Sequence, residues 1–288
     1  MILQETYTLA NGVTIPKLGL GTWMISNDDV VEAVRAAIAM GYRHVDTAQA
    51  YANEAGVGEG VRSAGVPRDQ IFVTTKLAAE IKSYDEALRA IDGSLEQLGL
   101  DTIDLMLIHS PQPWMKFGDE DRFFEGNREA WRALEAAYEA GKLRAIGVSN
   151  FQQADLENLL SAAKIKPMVN QVLAHVGKMP TELIAFDAEQ GILTEAYSPI
   201  GHGALLKHDV VGAMSKKYGA SIAQLSIRYV LQLGLLPLPK TANPAHMKDN
   251  AGVDFTISDE DMATLSAVPQ VVDYGEANMF PVYGGKLG

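Results

Sequence analysis

Asp46, Tyr51, Lys76 and His109 are an acid, a phenol, an amine and an imidazole spaced so that each follows a short apolar run. The runs are Tyr42 to Val45, Ile71 to Thr75 and Ile103 to Ile108, with Tyr51 five residues beyond Asp46. Groups of this kind are costly to bury, so four of them at successive strand ends point to one shared site. A tyrosine is a weak acid at neutral pH, with a reference pKa of about 10. A lysine ammonium ~4 Å away would favour its phenolate by ~4 kcal/mol at an effective dielectric near 20, roughly three pH units at most. Asp46 would hold Lys76 charged and in place while returning part of that shift, and His109 could hydrogen-bond the phenol or a substrate oxygen. The set suits giving a proton to a carbonyl oxygen as hydride arrives at its carbon. Singly, each residue has a plainer reading: Asp46 as a helix cap, Lys76 as a surface charge, His109 as a satisfied core histidine, Tyr51 as packing.

The elements that must position these four alternate in a βα pattern. Strands are predicted at Lys17 to Gly21, Tyr42 to Asp46, Ile71 to Thr75, Ile103 to Ile108, Leu143 to Val148, Pro167 to Gln171, Ile192 to Ala196 and Leu235 to Leu238. Between them, apolar residues recur every three or four positions: Val31, Val34 and Ile38; Leu88, Ile91, Leu95 and Leu98; Trp131, Leu134 and Tyr138. Ser83 with Glu86 reads as a capping box. Eight strands with intervening helices in 288 residues favour an α/β fold of the closed (β/α)₈ TIM-barrel type over an open sheet, with residues 1–288 as one domain. Thr6 to Leu9 and Val13 to Pro16 flank Ala10-Asn11-Gly12, a hairpin signal expected to plug the barrel's bottom. Val268 to Gly288 lacks a helical period and is expected to pack as an ordered C-terminal loop. Gly56-Val57-Gly58-Glu59-Gly60 is loosely like a dinucleotide loop but lacks the full spacing after a strand, so packing at a helix start is its expected role.

Composition narrows the function classes. A 47% hydrophobic content allows a large core. The absence of cysteine removes disulfides, thiolate metal sites and a cysteine nucleophile. Six scattered histidines form no His-x-x-x-His pair, so no metal site is expected. A formal charge of −12 disfavours nucleic acid and anionic membrane as partners. No apolar stretch is long enough to span a bilayer and the N-terminus does not read as a signal peptide, so a cytoplasmic protein is expected. No coiled-coil heptads are present.

The motifs around the four residues supply a resemblance. Gly19-Leu20-Gly21-Thr22-Trp23, Asp46-Thr47-Ala48 with Tyr51, Asn53-Glu54, Val57-Gly58 and Thr75-Lys76-Leu77 are followed by Gly147-Val148-Ser149-Asn150-Phe151, Asn170-Gln171, Tyr197-Ser198-Pro199 and Leu238-Pro239-Lys240-Thr241. In this order they resemble the aldo-keto reductases, with the bacterial branch that includes 2,5-diketo-gluconic acid reductases as the most similar. The resemblance implies NADPH-dependent, sometimes NADH-dependent, reduction of aldehydes and ketones without metal or flavin. It implies Tyr51 as general acid, Lys76 as the group that lowers its pKa, Asp46 as the support of Lys76, and His109 as the residue that orients the carbonyl. It also implies that Ser149, Asn150 and Gln171 meet the nicotinamide carboxamide and that Tyr197 stacks on the ring. Thr22 joins the cofactor residues, Ser198, Ile200 and Gly203 line the pyrophosphate, Lys240 and Thr241 meet the 2′-phosphate and ribose, and Asn250 lies near adenine.

Two departures from the family pattern bear on specificity. His246 stands where an arginine usually grips the 2′-phosphate, and an imidazole supplies neither a fixed charge nor a bidentate fork, so NADPH use with weakened discrimination against NADH is expected. Ser110 replaces an aromatic residue, which implies a wider, more polar substrate pocket there, with Trp23 and Trp114 as its other walls. Small aldehydes, α-dicarbonyls, keto-sugars and keto-sugar acids are the candidate substrates. The same residues would also serve alcohol oxidation, or a cofactor-binding regulatory subunit on the same barrel. Relatives of this type imply a monomer.

Overall fold

Residues 1–287 are described by a computed structural model. A short antiparallel hairpin, β1 (Thr6–Thr8) and β2 (Thr14–Pro16), precedes eight parallel strands. These are β3 (Leu20–Gly21), β4 (His44–Asp46), β5 (Phe72–Leu77), β6 (Leu105–Ile108), β7 (Ile146–Ser149), β8 (Val169–Leu173), β9 (Leu193–Tyr197) and β10 (Leu236–Leu238). They neighbour one another in chain order. A parallel bridge from Gly21 to Lys240 joins the last strand to the first, helped by Gly19 N–H donating to Pro237 O at 3.3 Å and Gly21 N–H to Pro239 O at 3.1 Å. The result is a (β/α)₈ barrel, as the alternating pattern requires.

Closure depends on the glycines of β3 and the turn before it. A Cβ on Gly19 would stand 2.5 Å from Leu238 Cδ2, and one on Gly21 3.3 Å from the Leu238 carbonyl. Larger residues at these positions would wedge the seam open.

The strands differ from their predicted bounds in an instructive way. Most begin two or three residues late, because the lower part of each apolar run lies outside the continuous ladder; Ile103 and Leu143 meet only as an isolated bridge. β5 and β9 run on to Leu77 and Tyr197, so Lys76 lies within its strand rather than beyond it. Hydrophobic run and hydrogen-bonded strand overlap without coinciding.

The connecting helices pack by the predicted periodicity with a small rotation. Helix Asn27–Ala39 buries Val30, Ala33, Val34, Ala37 and Ile38, leaving Val31 half-buried. In helix Tyr84–Leu98, Ala87, Ile91, Ser94 and Leu98 face inward, with Leu88 and Leu95 at the edge. Ser83 is its N-cap residue, but its hydroxyl donates to the Glu86 carboxylate at 2.7 Å and makes no backbone cap bond. In helix Glu54–Arg62, the Gly56–Gly60 stretch serves close packing: a Cβ on Gly58 would lie 1.9 Å from Leu98 O, and one on Gly56 2.1 Å from Asn27 O.

The hairpin covers the end of the barrel where the strands start. Asn11 donates to Arg144 O at 2.9 Å and the Tyr7 hydroxyl to Leu235 O at 3.3 Å, with Arg144 and Leu235 lying just before strands. The C-terminal segment packs with two short 3₁₀ turns, Gly275–Met279 and Pro281–Tyr283, and builds a second small apolar cluster with Leu173, Tyr274, Ala277 and Tyr283. Among the described residues no helix is long and apolar enough to cross a membrane.

Candidate active site

The inward-facing positions near the strand carboxyl ends carry the polar residues. On β4 and β5, Asp46 and Lys76 face the barrel axis, and Lys76 Nζ donates to Asp46 Oδ1 at 2.5 Å and to Thr47 O at 3.0 Å. Lys76 also reaches the Tyr51 hydroxyl at 3.3 Å and lies 5.0 Å from the centroid of that ring. His109, one residue past β6, meets Tyr51 edge to face with centroids 5.5 Å apart. The four residues singled out at the start therefore do form one cluster.

Tyr51 is held by two neighbours for which the sequence predicts no role. It ends the 3₁₀ turn Gln49–Tyr51, and Ala52 follows in the left-handed region at φ 55°. Gln49 pins the turn from both amide atoms: Nε2 donates to Ala90 O and Ser94 Oγ at 2.9 Å each, and Oε1 accepts from Ala78 N at 2.8 Å. Asn53 donates to Thr22 O and Ile25 O at 3.0 Å and accepts from the Thr47 hydroxyl at 2.6 Å. A polar residue on each side of a functional tyrosine was the available signal.

The electrostatics reverse one expectation. Burial alone would depress the Lys76 ammonium, but Asp46 and Tyr51 more than offset it, so it is held above the ordinary lysine value. The Tyr51 phenol is not lowered; it is raised, because burial outweighs the pull of Lys76 and the Asp46 charge returns part of that pull. Tyr51 is therefore protonated across neutral pH. Burial, with the nearby Lys76 charge, pushes His109 well below the usual histidine value, so its ring is neutral. Its Nδ1 has no hydrogen-bond partner.

Opposite the cluster, Ser149 ends β7 and Asn150 follows it, Gln171 lies on β8 and Tyr197 ends β9. The Ser149 hydroxyl donates to Gln171 O at 2.9 Å, the Asn150 amide to His109 O at 3.0 Å, and the Tyr197 hydroxyl to Asn150 Oδ1 at 2.8 Å. Gln171 Nε2 spans two carboxyls, Asp46 Oδ2 at 2.8 Å and Glu195 Oε2 at 2.7 Å. Thr22, wholly buried, donates to Asp46 O at 2.9 Å.

These residues share a cavity of about 240 Å³. Thr22, Trp23, Asp46, Tyr51, His109, Trp114, Ser149, Asn150, Gln171, Tyr197, Ser198 and Lys240 line it. Trp114 meets His109 edge to face at 5.1 Å, and Trp23 meets Phe280 at 4.9 Å. Phe280, Tyr283 and Leu287 come from the C-terminal loop, for which the sequence predicts order but no role in the site; Tyr283 shares a hydrogen bond of 2.6 Å with Ser198. Its three aromatic residues, Tyr274, Phe280 and Tyr283, were the hint.

Ile200, Gly203, Thr241, His246, Asn250 and Ser110 are outside the cavity lining. The first two belong to the loop after β9, where Ser198, Gly201, His202 and Gly203 all have positive φ. Asn243 caps helix Pro244–Ala251, which carries an exposed His246 and a buried Asn250 and follows closely on Lys240 and Thr241. Ser110 is fully buried: its hydroxyl accepts from Gln112 N at 3.3 Å, and its carbonyl accepts from Lys82 Nζ at 3.0 Å. Lys82, which also donates to Asn127 at 2.7 Å, is pushed down to about 7 by burial. It anchors the chain just beyond His109.

Neutral hydroxyl and amide groups, an aromatic face and, among the described residues, one lining cation, Lys240, form a donor set of the kind a nicotinamide nucleotide would need. Among the described residues, no group of three or more His, Asp or Glu is placed to hold a metal ion.

A family model described as "Aldo/keto reductase family" matches residues 17–269. The chain is 43% identical to a glyoxal reductase of Bacillus subtilis over 268 residues, covering 92% of this chain and 93% of that protein. It is 39% identical to a morphine 6-dehydrogenase of Pseudomonas putida over 281 residues, 93% of this chain and 92% of that protein. A crystal structure of a Bombyx mori aldo-keto reductase in complex with NADP superimposes with a TM-score of 0.84 at 33% identity, covering 97% of this chain and 98% of that one.

Proposed function

The chain belongs to the aldo/keto reductase family and is an NAD(P)H-dependent oxidoreductase, and we propose that it reduces small aldehydes and α-dicarbonyls to alcohols with Tyr51 as proton donor. The observation that carries this reading is the Tyr51 hydroxyl, within 3.3 Å of Lys76 Nζ in a cavity it shares with a neutral His109. When bound, the nicotinamide supplies hydride to the carbonyl carbon. Tyr51 gives its proton to the carbonyl oxygen as negative charge develops there. Lys76 holds the resulting phenolate, and Asp46 fixes Lys76. His109, neutral, offers one ring N–H to the same oxygen and so orients it.

The walls support uncharged substrates. Trp23, Trp114, Phe280, Val282 and Leu287 are uncharged and largely apolar, and among the described residues the only lysine or arginine lining the cavity is Lys240, which the phosphate of the cofactor would occupy. A substrate carboxylate would be desolvated there without a cationic partner, at a cost of several kcal/mol. Oxidation of NADPH should therefore be at least about tenfold faster, in kcat/KM, with glyoxal, methylglyoxal and neutral aldehydes than with keto-sugar acids. A keto-sugar acid as the best substrate in the panel would reject this reading of the pocket, and no turnover with any carbonyl would reject the reductase.

For the cofactor, Ser149, Asn150 and Gln171 are proposed to hold the carboxamide and Tyr197 the ring. Thr22, Ser198, Ile200 and Gly203 would contact the nucleotide along the pyrophosphate, and Lys240, Thr241, His246 and Asn250 its adenosine end. The exposed His246 supports use of both NADPH and NADH, since no arginine fork is available for the 2′-phosphate. His246→Arg should raise the ratio of kcat/KM for NADPH over NADH by about tenfold, the worth of one charge-assisted hydrogen bond. A thousandfold NADPH preference already present in the unsubstituted protein would refute the assignment.

A further inference from the structure

Glu195 is a carboxyl group sealed inside the barrel without a cation of its own. It lies on β9 beside Gln171 in the strand register, and it is wholly buried. Its Oε2 accepts from Gln171 Nε2 at 2.7 Å, and its Oε1 has no partner among the described residues. The nearest positive charge, Lys76, is already paired with Asp46. The other ionisable groups around the barrel axis are His44, on β4 below Asp46 and pushed down to about 3 by burial, His109, pushed well below its ordinary value by burial, and the phenols of Tyr51 and Tyr197, both held above their ordinary value by burial.

Gln171 has two amide hydrogens, and both are used: one on Asp46 Oδ2, the other on Glu195 Oε2. The polar atom left to Gln171, which lines the cavity, is its carbonyl oxygen. An amide held by both hydrogens cannot turn to present them. It can only accept.

We propose that Glu195 is a positioning residue for cofactor binding: with Asp46 it locks Gln171 as a pure hydrogen-bond acceptor toward the carboxamide of a nicotinamide nucleotide. This rests on the function proposed above. Its chemistry also requires Glu195 to stay neutral, because two carboxylates on one amide nitrogen repel each other. Burial, followed by the Asp46 charge, pushes the Glu195 carboxyl up to about 8, so it is protonated at neutral pH and begins to ionise just above.

Three proteins test this: the unsubstituted chain, Glu195→Gln and Glu195→Leu. NADPH dissociation constants are measured by fluorescence titration from pH 6 to 9.5, with kcat and KM for one aldehyde alongside. Glu195→Gln keeps an acceptor for Gln171 and carries no charge, so its affinity at pH 7 should stay within about twofold of the parent and should lack the parent's weakening through pH 8. Glu195→Leu frees Gln171 and should bind NADPH about tenfold more weakly at pH 7, with a larger change in cofactor KM than in kcat. The same affinity and the same pH dependence in all three proteins would overturn the proposal.

A second measurement does not depend on the cofactor. Because the folded carboxyl titrates near 8 against a reference of 4.5, its contribution to stability is complete below about 4.5 and is lost as pH rises through about 8. The parent should therefore lose Tm relative to Glu195→Gln between pH 6 and 9, and an unchanged difference would overturn the neutral-acid assignment. Failure of all three proteins to bind either nicotinamide nucleotide would instead overturn the proposed function and the positioning role with it, while the Tm comparison would still report the Glu195 titration.

Discussion

Tyr51→Phe is expected to lower kcat/KM for carbonyl reduction by about a thousandfold, the middle of the range for loss of a general acid, with NADPH affinity within about twofold of the parent. The size follows from what else is available to protonate the oxygen. His109 is neutral and a weak acid in that form, with its pKa for the charged form pushed well down by burial. Lys76 is 0% exposed, with Asp46, Thr47 O and Tyr51 as its hydrogen-bond partners. Removing one oxygen from Tyr51 leaves its ring against His109 and leaves the cavity shape almost unchanged, so binding is spared. The pH dependence follows from the same geometry. Reduction needs the protonated phenol, and burial holds that phenol above its ordinary value of 10.0. At saturating NADPH, kcat should stay level through neutral pH and fall only in strongly alkaline solution. Steady-state kinetics with a neutral aldehyde, paired with fluorescence titration of NADPH, separates the two quantities. A Tyr51→Phe protein that retains more than about a tenth of the parental kcat/KM would remove Tyr51 from the role of proton donor.

How much of this could be read from the chain differs between levels. The barrel was legible because each of its eight strands carries its own apolar run and three of the intervening helices show their own period, signals that are local. That Asp46, Tyr51, Lys76 and His109 would cluster was legible because they stand beside those runs. The roles of Gln49, Asn53 and Lys82 were not, because their work is to bond polar groups 31 to 45 residues away: Asn53 to Thr22 O, Gln49 to Ser94, and Lys82 to Asn127. Glu195 was hidden for another reason. In sequence it is one charged residue in a strand, and only the barrel's closure shows that it faces Gln171 and Asp46 rather than water. The direction of the Tyr51 shift failed on the same point: a pairwise estimate from Lys76 alone omits the burial that outweighs it. The C-terminal loop, aperiodic in sequence, gains its role from Tyr283 reaching Ser198 and from Phe280 packing on Trp23.

Lys76→Met is expected to cost about 3–5 kcal/mol of stability and most of the activity, for separable reasons. Asp46 is only 4% exposed, and its Oδ1 would lose its charged partner at 2.5 Å, leaving Gln171 as the one side chain still donating to the carboxylate. A buried, half-satisfied anion is the source of the stability loss. Lys76→Met with Asp46→Asn removes that anion, and replacement of a whole buried pair by neutral groups is often close to neutral in stability. The double substitution should therefore recover most of the denaturation midpoint. Activity should not recover, because the lost function lies in the other contact of Lys76, the 3.3 Å approach to the Tyr51 hydroxyl. Without the ammonium, nothing at that distance stabilises the phenolate left after proton transfer, and kcat should remain lower by about a hundredfold or more. Urea midpoints and kcat measured on the single and double proteins form the comparison. If the double protein is as unstable as Lys76→Met alone, the ion pair is not what the lysine contributes to the fold. If instead its kcat returns with its stability, Lys76 serves only to hold Asp46, and the phenol is tuned by burial alone.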